Sequence, residues 1–397
     1  MRVYLDYNAT TPVDPRVLEA MLPFLGDNFG NAGSVHSAGQ RARAAVDCAR
    51  ESVAALIGAK LSEVVFTSGG TEADNLAIFG AVAASTKPRK HVITTAIEHH
   101  AILHSCEELA RQGVDVTVVP VSTSRGSQGI VDPEDIRRAL RPETVLITVM
   151  HANNELGTIQ PIEEIARIAA EAGVLFHSDA VQSAGKIPVD VTKLEVDLLS
   201  ISAHKFCGPK GVGALYVRSG RHIAPRFWGG HAERDRRAGT ENVPGIVALG
   251  KAAELARTFL AEDGSRISGL RDRLENNLLD RIPNILINGD RGHRVPNTSN
   301  LSFPGAGGEA LLIALDLQGI ACSTGAACSS GSTEPSHVLL AAGLSHDNAR
   351  SSLRFSLGRP TTIAEIDRAI ELIPAVVERI RALSPREQES AAAMPAR

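Results

Sequence analysis

The sequence predicts an α/β fold with a large domain, a mostly parallel sheet covered by helices, and a smaller α+β domain. Three observations carry this. The chain has 397 residues and is 43% hydrophobic, enough to bury a sizeable core or two. Short strand-like apolar runs alternate with amphipathic helical stretches over its first two thirds, the rhythm of a parallel sheet with helical crossovers. Beyond about residue 262 the alternation gives way to a mixed helix and strand pattern.

In order, the strand-like runs are "EVVFTS" (63–68), "HVITTA" (91–96), "DVTVVPV" (115–121), "TVLITVM" (144–150), "VLFHSDA" (174–180), "DLLSISA" (197–203) and "GALYVRS" (213–219). Helical segments fall at 41–57, 71–84, 99–112, 133–140 and 161–172. A helical stretch over 243–262 is followed by a second, "RISGLRDRLENNLLDRI", then strand-like "NTSNLSFP" and helical "GEALLIALDLQG". A helix at 335–343, the strand "SLRFSLG" and a helix at 362–382 complete the smaller unit. The expected division is 15–256 for the large domain, with 1–14 and 257–384 forming the small one. Residues 385–397 lack apolar periodicity and are expected to be a disordered tail. In a sheet of this kind ligands bind at the carboxyl ends of the strands.

A net charge of −4, with Lys and Arg scattered, argues against a nucleic-acid footprint. No stretch approaches the roughly 20 apolar residues of a membrane span, and "MRVYLDYNATTPVDP" has no apolar signal core; a cytoplasmic location is expected. Five cysteines, an odd number without a C-x-x-C pair, argue against a disulfide scaffold. In "EHHAILH" (98–104), His100 and His104 fall one helical turn apart, but no third ligand stands at a zinc-like spacing, and no metal is assigned.

Three segments carry chemistry. "VVFTSGGTEADNLAI" (64–78) runs from a strand through Gly69, Gly70 and Thr71 into a helix. Glycines let backbone amides approach an anion and the helix N-terminus adds donors, so this is a candidate phosphate cradle, although Gly-Gly also serves as a tight turn. In "FHSDAVQSAG" (176–185), Asp179 ends a buried strand, where it suits a protonated pyridine nitrogen or the cap of a following helix. In "SISAHKFCGPKGVGALYV" (200–217) a strand runs into His204 and Lys205. A desolvated lysine there suits Schiff-base chemistry, and Lys210 on the same turn is its rival. Together the three suggest pyridoxal phosphate.

The ordered series "YLDYNATTPVDPRV", "FTSGGTEADNLAI", "EHHAIL", "HANNELGTIQP", "SDAVQSAGK", "SAHKFCGPKGVGALYVR", "RRAGTENV" and "LRFSLGR" resembles pyridoxal phosphate-dependent cysteine desulfurases of the NifS/IscS type. These are class V aminotransferases with the aspartate-aminotransferase-like fold (fold type I). The resemblance implies that Lys205 carries the cofactor, Asp179 partners its ring nitrogen, and His99 stacks on it and exchanges protons with substrate. It implies phosphate contacts from Gly70, Thr71, Ser202 and His204, and ring contacts from Asn154 and Gln182; Asn153 fits a turn role better. Thr240 is similar to a residue that reaches the phosphate of the other subunit, which implies a homodimer. Arg354 resembles the arginine that holds the substrate carboxylate, beside Asn154, a task suited to a fixed guanidinium fork; Arg359 fits a structural charge.

The implied reaction takes L-cysteine to L-alanine and leaves its sulfur on an enzyme thiol as a persulfide. That thiol is Cys328, in "ACSTGAACSSGSTEP" (321–335), where Gly325, Gly331 and small polar neighbours suit a mobile carrier. Cys322 sits at the preceding strand edge, and Cys207 is expected to pack beneath its turn. The implied partner is a sulfur-acceptor protein such as an iron–sulfur scaffold, with a transient iron–sulfur contact at Cys328 left open. The tail lacks the segment by which housekeeping relatives dock their scaffold, and "RRAGTENV" leans toward the nitrogenase-associated branch. A selenocysteine lyase or another aminotransferase of this fold is the alternative.

Overall fold

The computed structural model describes residues 2–324 and 334–383. A short strand β1 (Val3–Tyr4) precedes α1 (Pro15–Met21) and α2 (Ser37–Ile57). Next come β2 (Val64–Thr67), α3 (Gly70–Ala84), β3 (His91–Thr95), α4 (His100–Arg111), β4 (Asp115–Val119), α5 (Pro133–Ala139) and β5 (Thr144–Thr148). They are followed by α6 (Ile162–Glu171), β6 (Leu175–Asp179), α7 (Val191–Leu194), β7 (Leu198–Ser202) and β8 (Gly213–Val217). The rest comprises α8 (Val243–Arg281), β9 (Leu286–Asn288), β10 (Thr298–Ser302), α9 (Gly308–Leu317), β11 (Ile320–Ala321), α10 (His337–Ala341), α11 (His346–Arg350), β12 (Ser352–Ser356) and α12 (Ile363–Ala382).

The main sheet has seven strands in the order β2-β8-β7-β6-β5-β3-β4. Within it β8 pairs antiparallel with both neighbours, β2 and β7, so it alone is reversed. Successive side chains leave a strand on opposite faces, and both faces are apolar. Val64, Phe66, Leu199 and Ile201 enter one core and Val65, Leu198 and Leu215 the other. Helices cover both. Their starts are encoded locally, as at Asp132 before Pro133 and at Thr362, which forms a reciprocal capping box with Glu365.

A second, antiparallel sheet runs β12-β10-β9, and β1 pairs parallel with β11. Val3, Leu5, Leu274, Phe303, Phe355 and Ile366 share its core, which also takes Cys322. The structure departs from the expected pattern at α8, which is one helix of 39 residues instead of two. Gly264 has open space around it, and a glycine costs a helix only about 1 kcal/mol. Packing at both ends of α8 outweighs that. A Cβ on Gly250 would stand 2.5 Å from Ala49 Cα of α2, so the two backbones cross closely. At the other end Ile267, Leu274 and Leu278 enter the second core. Val338, Leu339 and Ala342 around α10 pack into the large-sheet core. Among the described residues no helix is long and apolar enough to cross a membrane.

Candidate active site

Six strands of the main sheet point one way, so the segments leaving β2, β3, β5, β6 and β7 emerge at one edge. A cavity of about 370 Å³ lies there. Ten of the residues singled out above line it: Gly70 and Thr71 from the start of α3, His99 from the start of α4, and Asn154 from the turn after β5. Asp179 ends β6 and Gln182 follows it, Ser202 ends β7 and His204 and Lys205 follow it, and Arg354 comes from β12. Thr240 is not among them; it is exposed on the segment before α8. Cys328 lies outside the described residues.

The cradle is formed as a glycine requires. A Cβ on Gly70 would stand 2.7 Å from Val181 Cγ2 and 3.6 Å from Ser202 Cβ, narrowing the space at the N-terminus of the 15-residue α3. Amides and positive helix dipole there face the cavity with the hydroxyls of Thr71 and Ser202 and the His204 ring. His204 Nδ1 lies 3.1 Å from Thr10 Oγ1, and burial beside Lys205 lowers its pKa to about 4, so the ring is neutral.

Two carboxylates sit deeper. Asp179 Oδ1 accepts from the Val181 amide at 2.8 Å, and burial pushes its pKa up to about 6. Asp74, on α3, is buried, and its Oδ1 has no hydrogen-bond partner among the described residues. Burial and the neighbouring Asp179 raise its pKa well above the usual carboxylate range. Asp179, with a single backbone donor at the cavity wall, suits a cation on the cavity side, whereas Asp74 stands beside Ser200 and, at 3.7 Å, His177 Nε2. The pyridinium nitrogen of pyridoxal phosphate is such a cation, and the residues present fit that cofactor.

Lys205 Nζ donates to the carbonyls of Asn8 at 2.7 Å and Ala9 at 2.9 Å. Its rival, Lys210, is exposed and outside the cavity. His99 caps α4, its Nδ1 accepting from the Ala101 amide at 3.1 Å, which leaves the proton of the neutral ring on Nε2. Burial and the Lys205 charge lower its pKa to about 4. Arg354 is 2% exposed. Its Nη2 donates to Asp6 Oδ1 at 2.7 Å and its Nη1 to the Asn154 carbonyl at 3.0 Å, while Nε has no partner among the described residues.

The remaining expectations resolve into structural roles. Asn153 is a buried turn residue whose Oδ1 accepts from the amides of Glu155 and Leu156. Arg359 pairs with Asp263 at 2.6 Å. Cys207 is buried, its amide held by Thr11 Oγ1 at 2.8 Å. Cys322 is buried too, which pushes its thiol up to about 12. The rings of His100 and His104 stack with centroids 4.8 Å apart, and among the described residues no group of three or more His, Cys, Asp or Glu could hold a metal. Sequence reasoning missed Asp6, Asn8 and Lys186. Of these, Lys186 carried a signal, standing one helical turn after Gln182.

Such a cavity at the carboxyl edge of a mostly parallel sheet, with a glycine-led helix start, a buried aspartate and a lysine, defines a fold type I enzyme. The class-V aminotransferase model matches residues 3–369; the chain belongs to that family and, within it, to the NifS/IscS-type cysteine desulfurases. It is 49% identical over 387 residues to "Cysteine desulfurase IscS" of Dictyoglomus turgidum, covering 98% of this chain and 97% of that one. Among solved structures it resembles a NifS-like protein with a TM-score of 0.89 and 39% identity over 96% of this chain and 100% of that chain. It also resembles SspA in complex with cysteine, with a TM-score of 0.80 and 37% identity, covering 91% of this chain and all of the other, 100%.

Proposed function

We propose that the chain is a pyridoxal phosphate-dependent cysteine desulfurase that converts L-cysteine to L-alanine and receives the sulfur on Cys328. The observation that carries this is the meeting of Lys205, Asp179 and Arg354, from three separate elements, in one cavity. Gly70, Thr71, Ser202 and His204 would hold the cofactor phosphate, Asp179 its ring nitrogen, Asn154 and Gln182 its polar ring substituents, and His99 its face. When bound, the cofactor supplies an electron sink for the bonds at the substrate α-carbon.

The chain's own residues do the rest. The Arg354 fork orients the substrate carboxylate beside Asn154. The Lys205 amine, once free, takes the proton from the substrate α-carbon. The neutral His99 ring keeps its proton on Nε2 and donates a hydrogen bond from it at or near the substrate thiol. The Cys328 thiolate attacks the substrate sulfur, the new S–S bond forms, and the Cβ–S bond breaks with its electron pair left on carbon. That β-carbon takes up a proton, matching the one the Cys328 thiol gave up, Lys205 returns its proton to the α-carbon, and alanine leaves.

The persulfide is then passed to an acceptor protein such as an iron–sulfur scaffold, in the cytoplasm. A homodimer fits the exposed Thr240 and the exposed Phe227 and Trp228 on the same segment, with Thr240 meeting the phosphate in the second copy. The division 15–256 and 1–14 with 257–384 is supported by the separate core of the second sheet, which α8 links to the large-sheet core that Val338, Leu339 and Ala342 also enter.

The test is to supply L-cysteine to the wild type and to Cys328→Ala, and to measure alanine and protein-bound persulfide. Wild type should yield both, and the variant should lose the persulfide and most of the alanine. Equal alanine from both proteins without persulfide would sink the assignment.

A further inference from the structure

Asn8 is 1% exposed, and each of its polar groups is engaged. Its amide donates to Ser356 Oγ at 2.9 Å, and its Nδ2 donates to the Asn154 carbonyl at 3.0 Å and to Thr298 Oγ1 at 2.8 Å. Its Oδ1 accepts from Asn297 Nδ2 at 2.9 Å and from Lys186 Nζ at 2.8 Å. Its carbonyl accepts from Lys205 Nζ at 2.7 Å and from Gln182 Nε2 at 3.0 Å. Lys186 Nζ also donates to Gln182 Oε1 at 2.6 Å. Lys186, Asn8 and Gln182 therefore form a closed ring of hydrogen bonds, and Lys205 hangs from the same Asn8 carbonyl.

An amide side chain can turn over and exchange oxygen for nitrogen unless its neighbours forbid it. A lysine ammonium only donates, so Lys186 commits the oxygen of Gln182 to itself. The NH₂ of Gln182 is thereby committed to the Asn8 carbonyl and the cavity. The Asn8 carbonyl has two lone pairs, one taken by Gln182 and the other by Lys205. One of the two carbonyls on which the Lys205 amine rests, the other being that of Ala9, thus belongs to a ring that Lys186 closes.

Charge acts in the same direction. No carboxylate bonds Lys186 among the described residues; its facing charges are Lys205 and Arg354, with the Cys207 thiol beside them. Asp263 and Arg359, on the small cavity behind, pair with each other. Asp179 and His99 face Lys205 from the other side. Burial, then Lys205, then Arg354 push the Lys186 pKa well below the usual lysine value. Coupling of this kind is reciprocal, because two amines in one site titrate as a pair.

We propose that Lys186 is a positioning residue for Lys205: through Asn8 and Gln182 it fixes where the active amine rests and which face of the Gln182 amide meets the cavity, and it competes with Lys205 for a proton. This rests on the reading of Lys205 as the cofactor-bearing lysine, so borohydride trapping on wild type comes first. Failure to trap the cofactor on Lys205 would remove that reading and the proposal with it.

The cofactor-loaded protein is then titrated with alkali while its visible absorbance band is followed. Lys186→Met should raise the midpoint, an increase of about threefold or more in proton affinity at the Lys205 nitrogen, with the circular dichroism spectrum and melting temperature retained. Lys186→Arg, which keeps a charged donor, should bring the midpoint back toward wild type. An unmoved midpoint in a folded, loaded Lys186→Met protein overturns the proposal, as does an equal shift in Met and Arg variants. If neither Lys186→Met nor Lys186→Gln folds and loads, the lysine is a structural residue and the proposal falls as well.

Discussion

The Arg354 guanidinium is tied to Asp6, Nη2 to Oδ1 at 2.7 Å, at a position on β12 where it is almost wholly buried. A second donor, Nη1, is held by the Asn154 carbonyl. These two anchors fix the plane of the fork before any substrate arrives, so that little freedom is lost on binding. Lysine in its place keeps the charge but offers no planar fork. Arg354→Lys should raise KM for L-cysteine roughly ten- to a hundredfold, the worth of one charge-assisted hydrogen bond. Steady-state kinetics check this, and an unchanged KM would place the carboxylate elsewhere.

Gly70→Ala separates cofactor retention from folding. Alanine is a better helix former than glycine by about 1 kcal/mol, so the melting temperature of the cofactor-free protein should hold. The new Cβ, however, would stand 2.7 Å from Val181 Cγ2, and the Val181 amide holds Asp179. Moving Val181 disturbs both cradle and carboxylate. Equilibrium dialysis followed by absorbance should show cofactor affinity lowered by about tenfold, or 1.4 kcal/mol.

Much of this site was legible because its parts stand at the ends of strands, which hydrophobic runs make visible. Asp179, Ser202, His204 and Lys205 each follow such a run, and the sheet direction brings them together. Asn8, Asp6 and Lys186 were not legible for the opposite reason. Their role depends on contacts across 348 residues, as from Asp6 to Arg354, or 178, as from Asn8 to Lys186. No local period records such a contact. The continuous α8 was missed similarly, since the stretch around Gly264 between the two helical segments read as a break and its cost is overcome by packing at distant ends. The strand-edge position of Cys322 was legible but its burial was not, because its own segment is polar and its neighbours in the second core come from elsewhere in the chain.

Glu98 gives a pH dependence of stability. It is fully buried, accepts from Thr95 Oγ1 at 2.5 Å and from the Met150 amide at 3.0 Å, and burial pushes its pKa up to about 8, far above the ordinary glutamate value. The folded state therefore binds this proton more tightly than the unfolded chain does. The stabilisation is complete below the unfolded value and is lost as pH rises through about 8. Thermal melts of the cofactor-free protein should show the melting temperature falling across that window, and Glu98→Gln should flatten the fall. A variant with the same slope as wild type would assign the dependence to other buried acids, of which Asp74, raised well above the usual range, and Asp179, raised to about 6, are the first.

His99 combines two duties that substitution can part. As the N-cap of α4 its Nδ1 receives the Ala101 amide, and the same bond sets the tautomer that turns the Nε2 proton toward the cavity. Asparagine can cap a helix but has no ring to stack and no Nε2–H to donate. His99→Asn should therefore keep the melting temperature while kcat falls by about tenfold or more, the worth of a lost hydrogen bond and ring contact. His99→Ala should lose the same activity and in addition about 1 kcal/mol of stability with the cap. Because burial beside Lys205 keeps the ring neutral down to about pH 4, the wild-type rate should show no inflection from this histidine near neutral pH. An inflection near the ordinary value of about 6.5 that disappears in His99→Asn would show a ring that takes up its proton from solvent, and would contradict the neutral donor drawn from the structure.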